Sequence, residues 1–288
     1  MICSKCSFGW IDKVCLFIFF LIAAELAFPQ RVVSLAPGLT EIVFALGKED
    51  ALVGVTKFCD YPPAAANIKK IGGFLDINIE ALISLDPDTI LMYPEHYDKM
   101  GPLKKQARLV VVRHSRLADL LQSIIDIGRA LNAEVEAEKL VSSIRNKLQS
   151  VSDQVKGMRK KRTIFIAGRN IAELKNMYII GKNDFINDLL EISGGTNAYE
   201  GGINYPSISI ESVIFLNPEF IFEISAHYQG ISADKIFALW KPYDMIQAVA
   251  KKQIKLIKNS FWLRPGPRVG LIAAELVGFF QAGQAAEN

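Results

Sequence analysis

Two kinds of segment alternate along the chain. Short runs such as "RVVSLAP" (31–37), "ALVGVT" (51–56), "DTILMY" (88–93) and "ARLVVVR" (107–113) are dense in β-branched and aliphatic residues and read as strands. Between them, "GLTEIVFALG" (38–47) places apolar residues at helical spacing and closes on a glycine stop. Residues 79–85 read as a short helix ended by the turn at Asp86-Pro87. Strands alternating with helices predict an α/β fold whose mainly parallel sheet is covered on both faces.

The pattern changes after Leu117. "LADLLQSIIDIGRALN" and "AEVEAEKLVSSIRNKLQSVSDQVKG" contain no proline and carry a long amphipathic periodicity. The second part predicts a connecting helix over 137–158, spanning on the order of 30 Å. A helical connector is a semi-rigid spacer, unlike a glycine-serine tether. Beyond it the first pattern returns as "RTIFIAG" (162–168), "FINDLLEISGG" (185–195), "ISIESVIFLNPEFIFEIS" (208–225), "IKLIKNS" (254–260) and a closing helix within 267–280.

That return is a repeat. Sliding Ile77 onto Ile208 matches Ile79 with Ile210, Glu80 with Glu211, Ile83 with Ile214, Leu85 with Leu216 and Pro87 with Pro218. The same offset lays "RVVSLAP" over "RTIFIAG". Solenoid repeats run about 20–50 residues, so a period this long indicates one α/β unit used twice. The expected organisation is a leader over 1–27, an N-terminal Rossmann-like lobe over 28–136, the connecting helix, and a C-terminal lobe over 159–288. Ligands of open α/β sheets bind beyond the carboxyl ends of the strands, and two facing lobes would make a cleft from those loops.

The leader is a different kind of sequence. Lys5 and Lys13 precede "VCLFIFFLIAA" (14–24), an 11-residue apolar run. That length fits a signal-peptide core and falls short of the roughly 20 residues a membrane span needs. Export is the expectation, with an uncleaved anchor as the alternative. Of four cysteines, Cys3, Cys6 and Cys15 lie in the leader, leaving Cys59 with no disulfide partner. The net charge of +3 on 288 residues gives no basis for nucleic-acid binding. The basic tract "KGMRKKR" (156–162) reads as the solvated end of the connecting helix.

Enzyme signatures are missing: there is no GxxxxGK[ST] loop, GxSxG elbow or HExxH metal motif. The cleft loops instead collect aromatic residues: Phe58, Tyr61, Phe74, Tyr93, Tyr97, Tyr205, Tyr228 and Trp262. Large rigid faces of this kind suit a flat macrocycle or chelate. His96, His114 and His227 offer axial nitrogens for a bound metal, and His96 and His227 sit beside Tyr97 and Tyr228. Arg264 and Arg169 are the cations of the predicted cleft loops.

Taken together, "RVVSLAPGLTEIVFALG", the "DYPP" turn, "INIEALISLDPDTIL", the long central helix, "LLEISGGTNAY" and "SFWLRPGPRVGLIAAEL" resemble one family. It is the helical-backbone (class III) ABC-transporter substrate-binding proteins, and within it the periplasmic cobalamin binders. The resemblance covers nearly everything after the leader. It implies a solute-binding protein of an ABC importer, not an enzyme and without a cofactor, periplasmic or otherwise extracytoplasmic, and monomeric when free. The cargo would be cobalamin or a related corrinoid, with heme or an iron siderophore as alternatives. By resemblance Phe58, Phe74, Tyr93 and Tyr205 match cleft-lining aromatics and Arg264 a polar rim contact. Phe74, Tyr93 and Tyr205 replace tryptophans of the best-known binder, and Ser260 stands where it has an acidic residue. Glu80 and Glu211 match the pair that docks on a homodimeric permease. From another class, a membrane-tethered ligand sensor would use the same cleft.

Overall fold

A computed structural model describes residues 30–225, 228 and 230–285. The leader and His227 lie outside the described residues. The first sheet contains β1 (Val32–Ser34), β2 (Leu52–Val55), β3 (Thr89–Met92) and β4 (Arg108–Val111), in the order β2-β1-β3-β4. All its pairings are parallel. The second sheet contains β5 (Lys161–Gly168), β6 (Met177–Ile179), β7 (Gly195–Asn197), β8 (Ser207–Ile208), β9 (Phe220–Ile224) and β10 (Ile254–Ile257). Here β7, β5, β9 and β10 pair in parallel, while β6 runs antiparallel to β5 and to β8. Two sheets, not one, answer the duplication in the sequence.

The duplication extends to register and caps. β1 pairs β3 with Val32 opposite Thr89, and β5 pairs β9 with Thr163 opposite Phe220, which is the same alignment moved by the repeat offset. Before each of β3 and β9 stands a short helix, α2 (Ile79–Ser84) and α6 (Ile210–Leu216). Asn78 and Ser209 cap their first turns, accepting from the N–H of Ala81 and of Ser212. Both helices end on a left-handed residue with φ of 42°, Asp86 and Asn217, residue types that tolerate that conformation. Arg31 then donates to the carbonyl of Leu85, and its counterpart Arg162 to that of Leu216. Even the backbone N–H of each arginine finds an equivalent carboxylate, Asp88 or Glu219.

α1 (Pro37–Ala45) follows β1, and α3 (Leu117–Ala130) leads by a short turn into α4 (Glu134–Gln154), the connecting helix. It starts and stops a few positions before the range read from sequence, and Gly157 at φ 79° turns the chain away after it. Its buried residues, Ala137, Val141, Ile144, Leu148 and Val151, repeat at helical spacing and form one apolar stripe. That stripe packs on α3 and on α9 (Val269–Ala285), and α5 (Phe185–Ile192) completes the layer. One buried cluster therefore runs from Leu39 and Val43 of α1, through Ile127 and Ile144, to Phe222 and Phe280 of the C-terminal lobe. Smaller cores close the outer face of each sheet, with Leu82 of α2 in the first lobe and Trp240 in the second. Trp240 belongs to α7 (Ala233–Trp240), which is followed by α8 (Gln247–Ala250).

The basic tract 156–162 is solvated as its charge pattern suggested, every residue but Lys161 being exposed, and it also carries ion pairs. Arg159 forks onto Glu219, Lys160 pairs with Glu191, and Lys161 and Arg162 open β5. These cations fasten the chain as it enters the second sheet. Among the described residues, no helix is long and apolar enough to cross a membrane.

Candidate ligand cleft between the lobes

The loops that leave the carboxyl ends of the two sheets face one another, and named contacts bridge them on both flanks. On one flank Arg268 forks onto Glu41 of α1, Nε to Oε2 at 2.8 Å and Nη2 to Oε1 at 2.6 Å. Its guanidinium lies 4.0 Å from the ring of Tyr61 and 4.7 Å from that of Phe261. Arg264 forks onto Asp60 beside it. The backbone approach there is so close that a Cβ on Gly38 would fall 2.1 Å from the carbonyl oxygen of Pro265. On the other flank Arg116 forks onto Asp188 of α5, and the Leu117 N–H donates to the same carboxylate at 2.8 Å.

The expected aromatics divide into three groups. Phe58 and Tyr61, on the loop after β2, are exposed at 47% and 45%. Tyr205 is also about half exposed, and its hydroxyl donates to Asp184, whose other oxygen caps α5 through the Ile186 N–H. Burial pushes the Asp184 carboxyl above the ordinary carboxylate range, although the Tyr205 hydroxyl pulls it back. Burial likewise raises the Tyr205 phenol, which keeps that proton on tyrosine. Phe74 is half-buried, edge-on to His96 at 4.7 Å. Tyr93 and Trp262 face inward instead. Tyr93 retains 4% exposure, and Trp262 is wholly enclosed against Phe222 with its indole N–H on Glu275 at 2.9 Å.

Of the candidate histidines, His96 and His114 are described, and they differ in burial. His96 is wholly buried in the 3-10 helix Pro94–Leu103. Its Nδ1 accepts from the Tyr93 N–H at 3.3 Å and its Nε2 is closed off from solvent. Burial depresses its pKa below 6.5, which keeps the ring neutral. Of the two described histidines His114, three residues past the end of β4, is the more exposed, with Nε2 3.0 Å from Glu95 and its ring 4.0 Å from Tyr93. Arg169 is no cleft cation. Its guanidinium is fully enclosed, 2.7 Å from an equally enclosed Glu223, which also accepts from the Trp240 indole. Arg264 is largely taken up by Asp60, which sits below its ordinary pKa because Arg264 donates to it. Asp60 and Asp184 escaped notice in the sequence because a lone aspartate in a loop reads as a turn residue.

Glu80 and Glu211 are both exposed, each in the first turn of its helix. α2 and α6 each run into the next strand through a short turn, so their first turns lie toward the strands' carboxyl ends, the same end as the cleft loops. The Ser209 hydroxyl lowers the Glu211 carboxyl and keeps it charged.

Residues 32–260 match the family described as periplasmic binding protein, and the chain belongs to that family. It is 30% identical over 268 residues to a vitamin B12-binding protein of Vibrio vulnificus, covering 91% of this chain and 93% of that one. It is 28% identical over 249 residues to an uncharacterised ABC transporter substrate-binding lipoprotein of Bacillus subtilis, covering 84% and 76%. Among solved structures, the periplasmic vitamin B12 binding protein of Vibrio cholerae superposes with a TM-score of 0.74 at 23% identity, over 88% of this chain and 98% of that one. A periplasmic heme-binding protein of Roseiflexus superposes at 0.75 with 22% identity, over 88% and 99%. These likenesses establish the two-lobed α/β fold of periplasmic binding proteins.

Proposed function

We propose that this chain is the solute-binding component of an ABC importer and that it captures vitamin B12 or a related corrinoid between its lobes. The observation that carries the ligand class is the likeness to vitamin B12-binding proteins across nine-tenths of both chains. The geometry supports it. Phe58, Tyr61 and Tyr205 hold exposed rings on opposing lobes, and a macrocycle presents two flat faces for such rings. Trp262 and Tyr93 support that surface from beneath instead of touching the solute. Glu80 and Glu211 then serve as paired acidic contacts for a two-fold permease, since a pseudo-symmetric monomer meets a symmetric partner at both copies of one patch. The reading assigns the chain no catalytic step and places it outside the cytoplasmic membrane, delivered there by its leader.

Heme is the second reading, and partly exposed His114 favours it because Glu95 orients its imidazole as carboxylates orient metal-bound histidines. Titration of the purified protein with cyanocobalamin, cobinamide and hemin, followed by absorbance, separates the two. Tight corrinoid binding that survives His114→Ala supports the first reading. Hemin binding with a Soret shift lost in His114→Ala, and no corrinoid binding, replaces it with the second.

A further inference from the structure

The outer edge of the C-terminal sheet carries a feature that neither the cleft nor the paired glutamates explain. β10 is hydrogen-bonded on one side only, to β9. The N–H of Ile221 donates to the carbonyl of Gln253, and that of Ser225 to the carbonyl of Ile257. Odd-numbered residues of β10 therefore turn their backbone inward, and Ile254, Leu256 and Lys258 turn theirs outward. Among the described residues, nothing pairs with those outward groups.

Edge strands are blunted by shortness, lysines, a bulge, a proline or a covering loop, and β10, four residues long with Lys255 in it, has the first two and leaves its backbone uncovered among the described residues. Here it lies at the bottom of a groove of about 1090 Å³. Phe237 of α7, Phe279 of α9, Ile254 and Leu256 line it, Phe279 packing against Phe222, and Ile254 and Leu256 with the cluster of Trp240. Phe237 is 41% exposed although it belongs to an amphipathic helix that has a core to face. Apolar residues lining the groove of an unpaired strand fit an added strand, whose alternate side chains would meet them while its backbone completes the ladder.

Charge decides between occupants. Lys241, Lys252, Lys255 and Lys258 line the groove against Asp234 and Asp244, and among the described residues none of the four lysines is in an ion pair. A second copy pairing β10 to β10 would bring two such lysine sets together, an arrangement that edge strands use to prevent self-association. An acidic partner gains from the same lysines.

We propose that this groove is a β-addition site for an extended, apolar-acidic segment of another polypeptide, separate from the solute cleft and independent of which solute the cleft holds. A fluorescein-labelled peptide alternating valine with glutamate, titrated against the intact protein by anisotropy, tests it. Binding should fall at least tenfold for the lysine-for-glutamate peptide, for a peptide N-methylated on alternate amides, and for Lys252→Glu/Lys255→Glu/Lys258→Glu. Hydrogen exchange on the unmutated protein gives a readout that no folding defect can mimic. The amides of Ile254, Leu256 and Lys258 gain protection with peptide, and those of Lys255 and Ile257 do not change. No binding at millimolar peptide, equal binding of the N-methylated peptide, or unchanged protection at the three amides overturns the proposal. So does a concentration-dependent dimer that protects the same amides without peptide, or binding to phosphatidylglycerol vesicles alone, which would assign the groove to a second copy or to a membrane surface.

Discussion

Single residues in this chain do two jobs that sequence alone does not separate. Arg169 and Glu223 form a pair with no solvent access to either side chain, and Trp240 shares the carboxylate. Removing one partner of such a pair strands a charge, which costs about 3–5 kcal/mol. Glu223→Gln should lower the unfolding free energy obtained from urea titration by that order, while Arg169→Met/Glu223→Leu should recover part of the loss. A double variant no more stable than the single one would refute this account. His96 carries a different signature. Its folded pKa lies below the ordinary 6.5 because burial disfavours the charged ring, so the native state binds fewer protons than the unfolded chain. Stability is then held above about pH 6.5 and lost as pH falls through the depressed value. The melting temperature should decline on mild acidification, and His96→Phe should flatten that decline. Glu41 has the opposite sign. Its burial raises the folded pKa, so it costs stability as pH rises through that value, and the Arg268 fork offsets part of the cost.

At the scale of elements, the repeated helix shows how much a one-dimensional pattern specifies. The match of Ile79-Glu80 with Ile210-Glu211 forecast equivalent helices, and they share caps, left-handed ends and arginine clamps on the last carbonyls. Local chemistry sets these features, so they survive duplication even where the side chains differ, as Asn78 and Ser209 do. Asn78→Ala and Ser209→Ala should each cost about 0.5–2 kcal/mol, and because their lobes are separate the two losses should add in denaturant unfolding. A larger loss in the double variant than the sum would mean that the helices communicate. The long helix was legible for the same reason, since its apolar stripe repeats over 21 residues. Its earlier C-terminal end goes with a left-handed Gly157 and a basic tract whose partners lie far away in sequence.

Over the whole molecule, stiffness comes from the shared core as much as from the connector. α3, α4, α5 and α9 form one packed layer, and Gly38 against Pro265 adds a backbone contact without room for a side chain. Gly38→Ala should push this flank apart, lowering the melting temperature and enlarging the radius of gyration by small-angle scattering. Free and solute-bound forms of the unmutated protein should differ only slightly by the same measurement. Reversing both docking charges, Glu80→Lys/Glu211→Lys, should abolish solute uptake in cells and leave solute titration unchanged, and intact uptake would remove the docking role. The sequence by itself determined the two-lobed α/β architecture, the long connector and the paired exposed glutamates, because periodicity, caps and repetition are written in neighbouring residues. Only the tertiary structure decided which of the described rings and imidazoles are buried and which stay exposed. Trp262, Tyr93 and His96 turn inward while His114 and Tyr205 remain at the surface, since burial depends on what packs against a loop from distant parts of the chain.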